Sequence, residues 1–276
     1  RGLFPGSAGI IGCMPKQTRV SFYLPIVLAV LIFLGWLLYT PNGVMGKADA
    51  VGYAVCHRIE ERSFLLGERP MPLCARCSGM YLGALLAMVY QQPWRKWGGL
   101  PSRTVWAVVG IFLVLFGVDG LNSYLHLFPS APHVYPPANW LRLVTGTGLG
   151  LGIGIILMPL LHQSLWVDWV DRPAFSGWRS LAGLLAAAAG LVLAILWEKI
   201  WILYPLAILS AITVLLMLGF CYTVLWAHFL KRENQAGRLV EALPLLAMGF
   251  GTAIVQVFAF DVVRFLLTGT WQGFSF

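Results

Sequence analysis

Charge is what this chain has least of. Only 11% of its 276 residues are charged, eleven acidic and nineteen basic, against 59% hydrophobic, and the mean hydropathy is +0.78. Soluble domains carry about 25% charged residues, so a water-soluble fold is excluded. No Ser-His-Asp order, Walker loop or His-Glu-x-x-His motif occurs, which leaves the common hydrolase and nucleotide chemistries without support. Basic stripes with interleaved aromatics are also missing, so the +8 net charge does not call for a nucleic-acid partner. Nor do apolar residues alternate as they do in the strands of a membrane barrel.

Long apolar runs are what the chain has instead. Seven fall near residues 21–39, 74–91, 104–127, 139–162, 179–197, 203–230 and 243–267, each close to the roughly 20 residues that cross a hydrocarbon core, the second being the shortest. Turn and charge signals such as Thr40-Pro41-Asn42-Gly43 and Lys231-Arg232-Glu233-Asn234 separate them. The chain therefore reads as an all-α integral membrane protein, a polytopic bundle of about seven transmembrane helices, because backbone groups in lipid need internal partners. Residues 1–20 form a tail, 21–160 a membrane region that includes a Cys/His loop, and 161–276 the C-terminal transmembrane helices.

Lys and Arg sort unevenly between the two sides. Arg1, Lys16, Arg19, Arg95, Lys96, Arg103, Arg172, Arg179, Lys231, Arg232 and Arg238 fall on one side, and Lys47, Arg58, Arg62, Arg69 and Lys199 on the other. The positive-inside rule then places the N-terminus in the cytoplasm and the loop 41–73 on the outer face of the inner membrane. Residues 1–13 lack an apolar core long enough for a secretory signal, and Met14 opens a plausible chain start, so no function is assigned to them.

The stretch CHRIEERSFLLGERPMPLCARCSG, residues 56–79, gathers three of the five cysteines and one of the five histidines. Cys74 and Cys77 open an apolar run at i and i+3, which places both sulfurs on one helix face. A helix N-terminus and Arg76 both favour thiolates there. Three readings fit Cys56, His57, Cys74 and Cys77. One is a Cys3His zinc site, closed and structural because all four tetrahedral positions are filled. Another is a thiol-disulfide oxidoreductase coupled to quinone, with Cys74 and Cys77 as the redox pair, Cys56 as relay and Arg76 as thiolate stabiliser. The third is a structural disulfide, with His57 incidental.

CHRIEERSF, PLCARCSGMYLG, DGLN at 119–122 and NWLRLVTGTGLG at 139–150 together resemble the bacterial and archaeal membrane-protein family called domain of unknown function 2085, over residues about 50–160. Gln often stands in that family where this chain has Arg58 and Ser123, and neither position is a candidate ligand. The resemblance implies that the Cys/His cluster is a site; it implies no activity.

Ionisable groups inside spans are expensive and face partners or cavities. Asp119, Asn122, His126 and Arg142 converge toward the cluster, with an Asp119–Arg142 pair expected, as candidate walls of a polar cavity that takes a small ligand or lipid; Asp261 and Arg264 lie at the same level. Small residues in GTGLGLGIG, Gly146 to Gly154, predict close helix packing. His133 is a candidate extra ligand, His162 and His228 are expected interfacial anchors, and Cys221 a small buried hydrophobe. The lipid bilayer is the expected partner, with other membrane subunits possible on the apolar helix faces and no nucleic acid. The functional expectation is a non-enzymatic membrane component, zinc-stapled at its outer face, serving as an accessory subunit or ligand handler.

Overall fold

Each long apolar run is a helix. The computed structural model, which describes residues 16–92, 95–126, 128 and 134–272, contains α1 (Lys16–Tyr39), α2 (Gly43–Val55), α3 (Ala75–Tyr90), α4 (Arg103–Leu125), α5 (Asn139–Leu165), α6 (Trp178–Leu196), α7 (Ile200–Phe229) and α8 (Leu239–Thr268). Two small sheets punctuate them. β1 (Leu65–Leu66) pairs antiparallel with β2 (Arg69–Pro70), and β3 (Trp97–Gly99) pairs parallel with β4 (Val170–Pro173).

Among the described residues six helices are long and apolar enough to cross a membrane, where about seven were expected. The run at 74–91 yields α3, whose 16 residues reach only about 24 Å. It still carries the chain from one end of the bundle to the other, because it lies parallel to α5: Arg76 abuts Gly146, Met80 abuts Gly150 and Ala84 abuts Gly154. Among the described residues the chain thus runs along the bundle seven times, six of them in helices long enough to span a membrane. One end collects the starts of α3, α5 and α7 and the ends of α4, α6 and α8; β3 and β4 lie at the opposite end.

The glycine-rich run of α5 is what permits this packing. Gly146, Gly150 and Gly154 take the backbone of α3, whereas Gly148 and Gly152 meet Phe112 and Val109 of α4. A glycine at every second residue thus serves two neighbouring helices at once. A Cβ at Gly150 would overlap the Met80 carbonyl, and backbone cannot yield as a flexible side chain does. Gly150→Val is therefore expected to lower stability by about 3 kcal/mol, measured as a shift of the melting transition in detergent; an unchanged transition would show that α3 and α5 are not in backbone contact.

At the first end, Lys47 of α2 donates to the Leu37 and Thr40 carbonyls, the latter at 2.9 Å. A cation on the last carbonyls of α1 matches the negative end of its dipole, and fixes α2 across the end of the bundle. At the opposite end His162 is not an interfacial anchor: it is 3% exposed, and its Nδ1 lies 2.9 Å from the Trp97 carbonyl. His228 is exposed and bonds Glu233. Cys221 faces outward from α7 instead of being buried.

A candidate metal centre at the start of α3

Three elements bring the cysteines together. Cys56 caps the C-terminus of α2, its N–H bonded to the Gly52 carbonyl at 2.9 Å. The chain then makes a 3-10 turn (Glu60–Arg62) and the β1–β2 hairpin, where Gly67 takes φ +70, a conformation that costs a side-chain-bearing residue energy. The segment after β2 passes so close to α2 that a Cβ at Gly52 would overlap the Pro72 carbonyl. That close approach sets Cys74, the N-cap of α3, beside Cys56, whose Sγ accepts the Cys74 N–H at 3.4 Å. One turn on, Cys77 completes the group.

The three Sγ atoms lie within 4.8 Å of one another, and all three thiols are free. A tetrahedral zinc with Zn–S bonds of about 2.3 Å separates its sulfurs by about 3.8 Å, so the group fits the ion with little adjustment. Its protonation points the same way. The side-chain hydrogen bonds from Cys74 and Cys77 hold the Cys56 thiol well below its ordinary pKa, and that bond to Cys56 pushes the Cys74 thiol up to about 12. Burial and mutual repulsion oppose the ionisation of three adjacent thiols, and a metal ion supplies the positive charge that lets all three ionise.

His57, the expected fourth ligand, is not in the group: its Nδ1 accepts the Ile59 N–H at 3.2 Å. Burial lowers its pKa, and Arg62, Arg142 and Arg76 act in the same direction against Cys56. His133 lies outside the described residues, as do residues 1–13.

Arg76 does not stabilise a thiolate. Its guanidinium turns to α4, meeting the Asp119 carboxylate at 2.5 Å and Ser123 Oγ at 3.0 Å, above the Phe116 ring. The expected Asp119–Arg142 pair is accordingly absent: Arg142 bonds Asn139 at 2.9 Å. The physical reason is rotation, since Arg76 on the first turn of α3 reaches the face of α4 that Arg142, looking along α5, does not. Asp119 is 1% exposed and also accepts from Tyr135 Oη at 3.2 Å and Thr145 Oγ1 at 3.4 Å. Asn122 accepts the Val134 N–H at 2.8 Å and donates to the Tyr135 carbonyl at 2.9 Å. Asp119 and Asn122 thus bind groups of the protein itself, pinning the 134–135 segment to α4, while His126 is exposed at the α4 C-cap.

Two residues gain roles that spacing did not reveal. Arg264 of α8 donates to the carbonyls of Tyr53 and Cys56, each at 2.6 Å, and of His57 at 3.2 Å, so a distant helix positions the first cysteine. Its being a cation in an apolar run was the available signal. Asp49 binds Arg58 at 2.8 Å and Arg69 at 2.5 Å, fastening both sides of the hairpin to α2; nothing in its local sequence marks it. Asp261 is wholly buried and faces Trp36 of α1.

The stretch from the first cysteine through most of α5 is also where comparison with known proteins finds a match. Residues 56–156 fit the model of a family described as predicted membrane protein (DUF2085). The match begins at Cys56 itself and takes in all three sulfurs, α3 and α4. An uncharacterized protein of Methanocaldococcus jannaschii is 26% identical over 158 residues, which span 53% of this chain and 96% of that protein. An uncharacterized protein of Methanothermobacter thermautotrophicus is 44% identical over 36 residues, covering 13% of this chain and 32% of its own. No solved structure matches. The M. jannaschii relative is therefore covered almost end to end by about half of this chain.

Proposed function

We propose that Cys56, Cys74 and Cys77 hold one structural zinc ion, with His57 as fourth ligand after its ring turns from the Ile59 amide, and that this site staples the loop 41–73 to the start of α3 in a non-enzymatic membrane component. The observation that carries this reading is the mutual approach of three sulfurs within 4.8 Å from two separate elements. Four protein ligands leave no open position for a water, so the metal serves folding, not hydrolysis. The excess of Lys and Arg at the opposite end supports an outer-facing site in the inner membrane. Apolar faces of α1 and α4 suit the bilayer, or another subunit of a membrane assembly.

Quinone-linked thiol exchange gains no comparable support. A large apolar groove, about 540 Å3, is lined by Met88, Met158, Leu165, Phe220 and Leu246. It lies at the far end of α3, and the eleven residues from Cys77 to Met88 set it about 17 Å from the sulfurs. A quinone seated there would not touch the thiols. The test is a thiol titration of protein purified without reductant. Three cysteines masked until a chelator is added is the expected result; a disulfide released by reductant alone would overturn the zinc reading.

A further inference from the structure

Beside the thiols, the same end of the bundle holds two cations, Arg62 and Arg142, that pair with no carboxylate among the described residues. Arg142, in the first turn of α5, is 6% exposed, and its hydrogen bond goes to Asn139, a neutral side chain. Buried arginines are ordinarily paired, because an uncompensated buried charge is strongly unfavourable. The 3-10 turn that carries Arg62 is tied to the same spot, Asn139 Nδ2 donating to the Glu61 carbonyl at 3.1 Å. Arg62 makes no side-chain hydrogen bond or ion pair among the described residues, and the exposed Glu60 and Glu61 pair with neither arginine. Arg62 and Arg76 repel Arg142; of the two groups that attract it, Asp119 is engaged by Arg76, and the other is Cys74 of the thiol cluster. All eleven acidic residues of the chain are among those described, so no carboxylate side chain is left to fill the gap.

The helix adds to the field. α5 is 27 residues long, and its N-cap, Ala138, supplies no side-chain acceptor, so the positive end of the dipole and the first amides are open to an anion. Two planar guanidinium forks from separate elements and one helix start form a set of donors suited to a tetrahedral oxyanion. From this geometry we infer that Arg62, Arg142 and the start of α5 bind a phosphate group. Its level, at the end of the apolar helices, is where lipid headgroups lie. Phosphate of a headgroup and free phosphate share this chemistry, and the experiment separates them.

The test is titration of the whole chain in phosphate-free neutral detergent, with inorganic phosphate by calorimetry and with short-chain phosphatidylglycerol and phosphatidylcholine by native mass spectrometry. One saturable phosphate-bearing ligand per chain is expected, weakened about tenfold or more by Arg62→Gln and again by Arg142→Gln. Arg142→Lys, which keeps charge but loses the fork, is expected to fall between. Binding of inorganic phosphate assigns the site to the free anion, and binding of the lipids alone assigns it to a headgroup. Arg62 lies on a half-exposed turn, so its substitution remains informative even if the buried Arg142 proves necessary for folding. Arg95→Gln at the opposite end is the control. Metal content of Arg62→Gln stays at the parental level, so the anion site and the zinc site fail independently. No saturable binding of any probe, or binding that Arg62→Gln leaves unchanged, would overturn the inference.

Discussion

Cys74→Ser is expected to empty the metal site. Elemental analysis of the parent, purified without reductant or chelator, should give about one zinc per chain, and the variant should give essentially none. Cys74 is 3% exposed, caps α3 and carries the amide that bonds Cys56, so serine preserves the backbone bond while removing a thiolate. Loss of the ion frees the hairpin from α3, and the melting transition should fall by about 10 °C, the effect of a few kcal/mol on a domain this large. Cys221→Ser, on the outer face of α7, should change neither quantity. His57→Ala tests the fourth ligand: metal content held at the parental level would remove His57 from the set and with it the Cys3His assignment. A parent that binds no metal would overturn the site as a whole.

Arg76→Met should be the most damaging substitution away from the sulfurs. It leaves Asp119, 1% exposed, with only the Tyr135 and Thr145 hydroxyls as donors. Breaking a buried pair by removing one partner costs about 3–5 kcal/mol, whereas replacing both partners with apolar groups is often neutral. The double variant Arg76→Met/Asp119→Leu should therefore recover most of the loss, and a double-mutant cycle on melting in detergent measures the coupling. A silent Arg76→Met, or a double variant no better than the single, would show that the pair does not join α3 to α4. Because Cys77 follows Arg76 directly, zinc content provides a second readout: the expected loss is of stability first and of metal only as α3 loosens.

Parts of this site are legible in the sequence. Cys74 and Cys77 at i and i+3 share a helix face for reasons of periodicity alone, and they do so here. Cys56 joins them across seventeen intervening residues, a distance sequence spacing does not constrain; the Gly52–Pro72 contact and the Gly67 turn close it. The partners of the arginines were not legible. Arg76 sits between two cysteines in sequence, yet its guanidinium crosses to α4. Arg142 lies at the same level as Asp119, yet does not pair with it. Level along a helix follows from counting residues at 1.5 Å each, but which way a side chain points depends on how neighbouring helices are rotated.

By itself the sequence determined the membrane class, the place of every long helix and the sorting of charge between the two ends, because bilayer thickness and the cost of burying charge act on composition directly. It also determined where helices can touch, since only glycine admits another backbone at the spacing seen along α5. The tertiary structure alone decided that a 16-residue helix makes a full pass by lying along α5, which cysteine from the loop meets the helix start, and which cations remain without an acid. Those outcomes depend on helix rotation and on contacts between residues far apart in the chain, such as Arg264 with the Cys56 carbonyl.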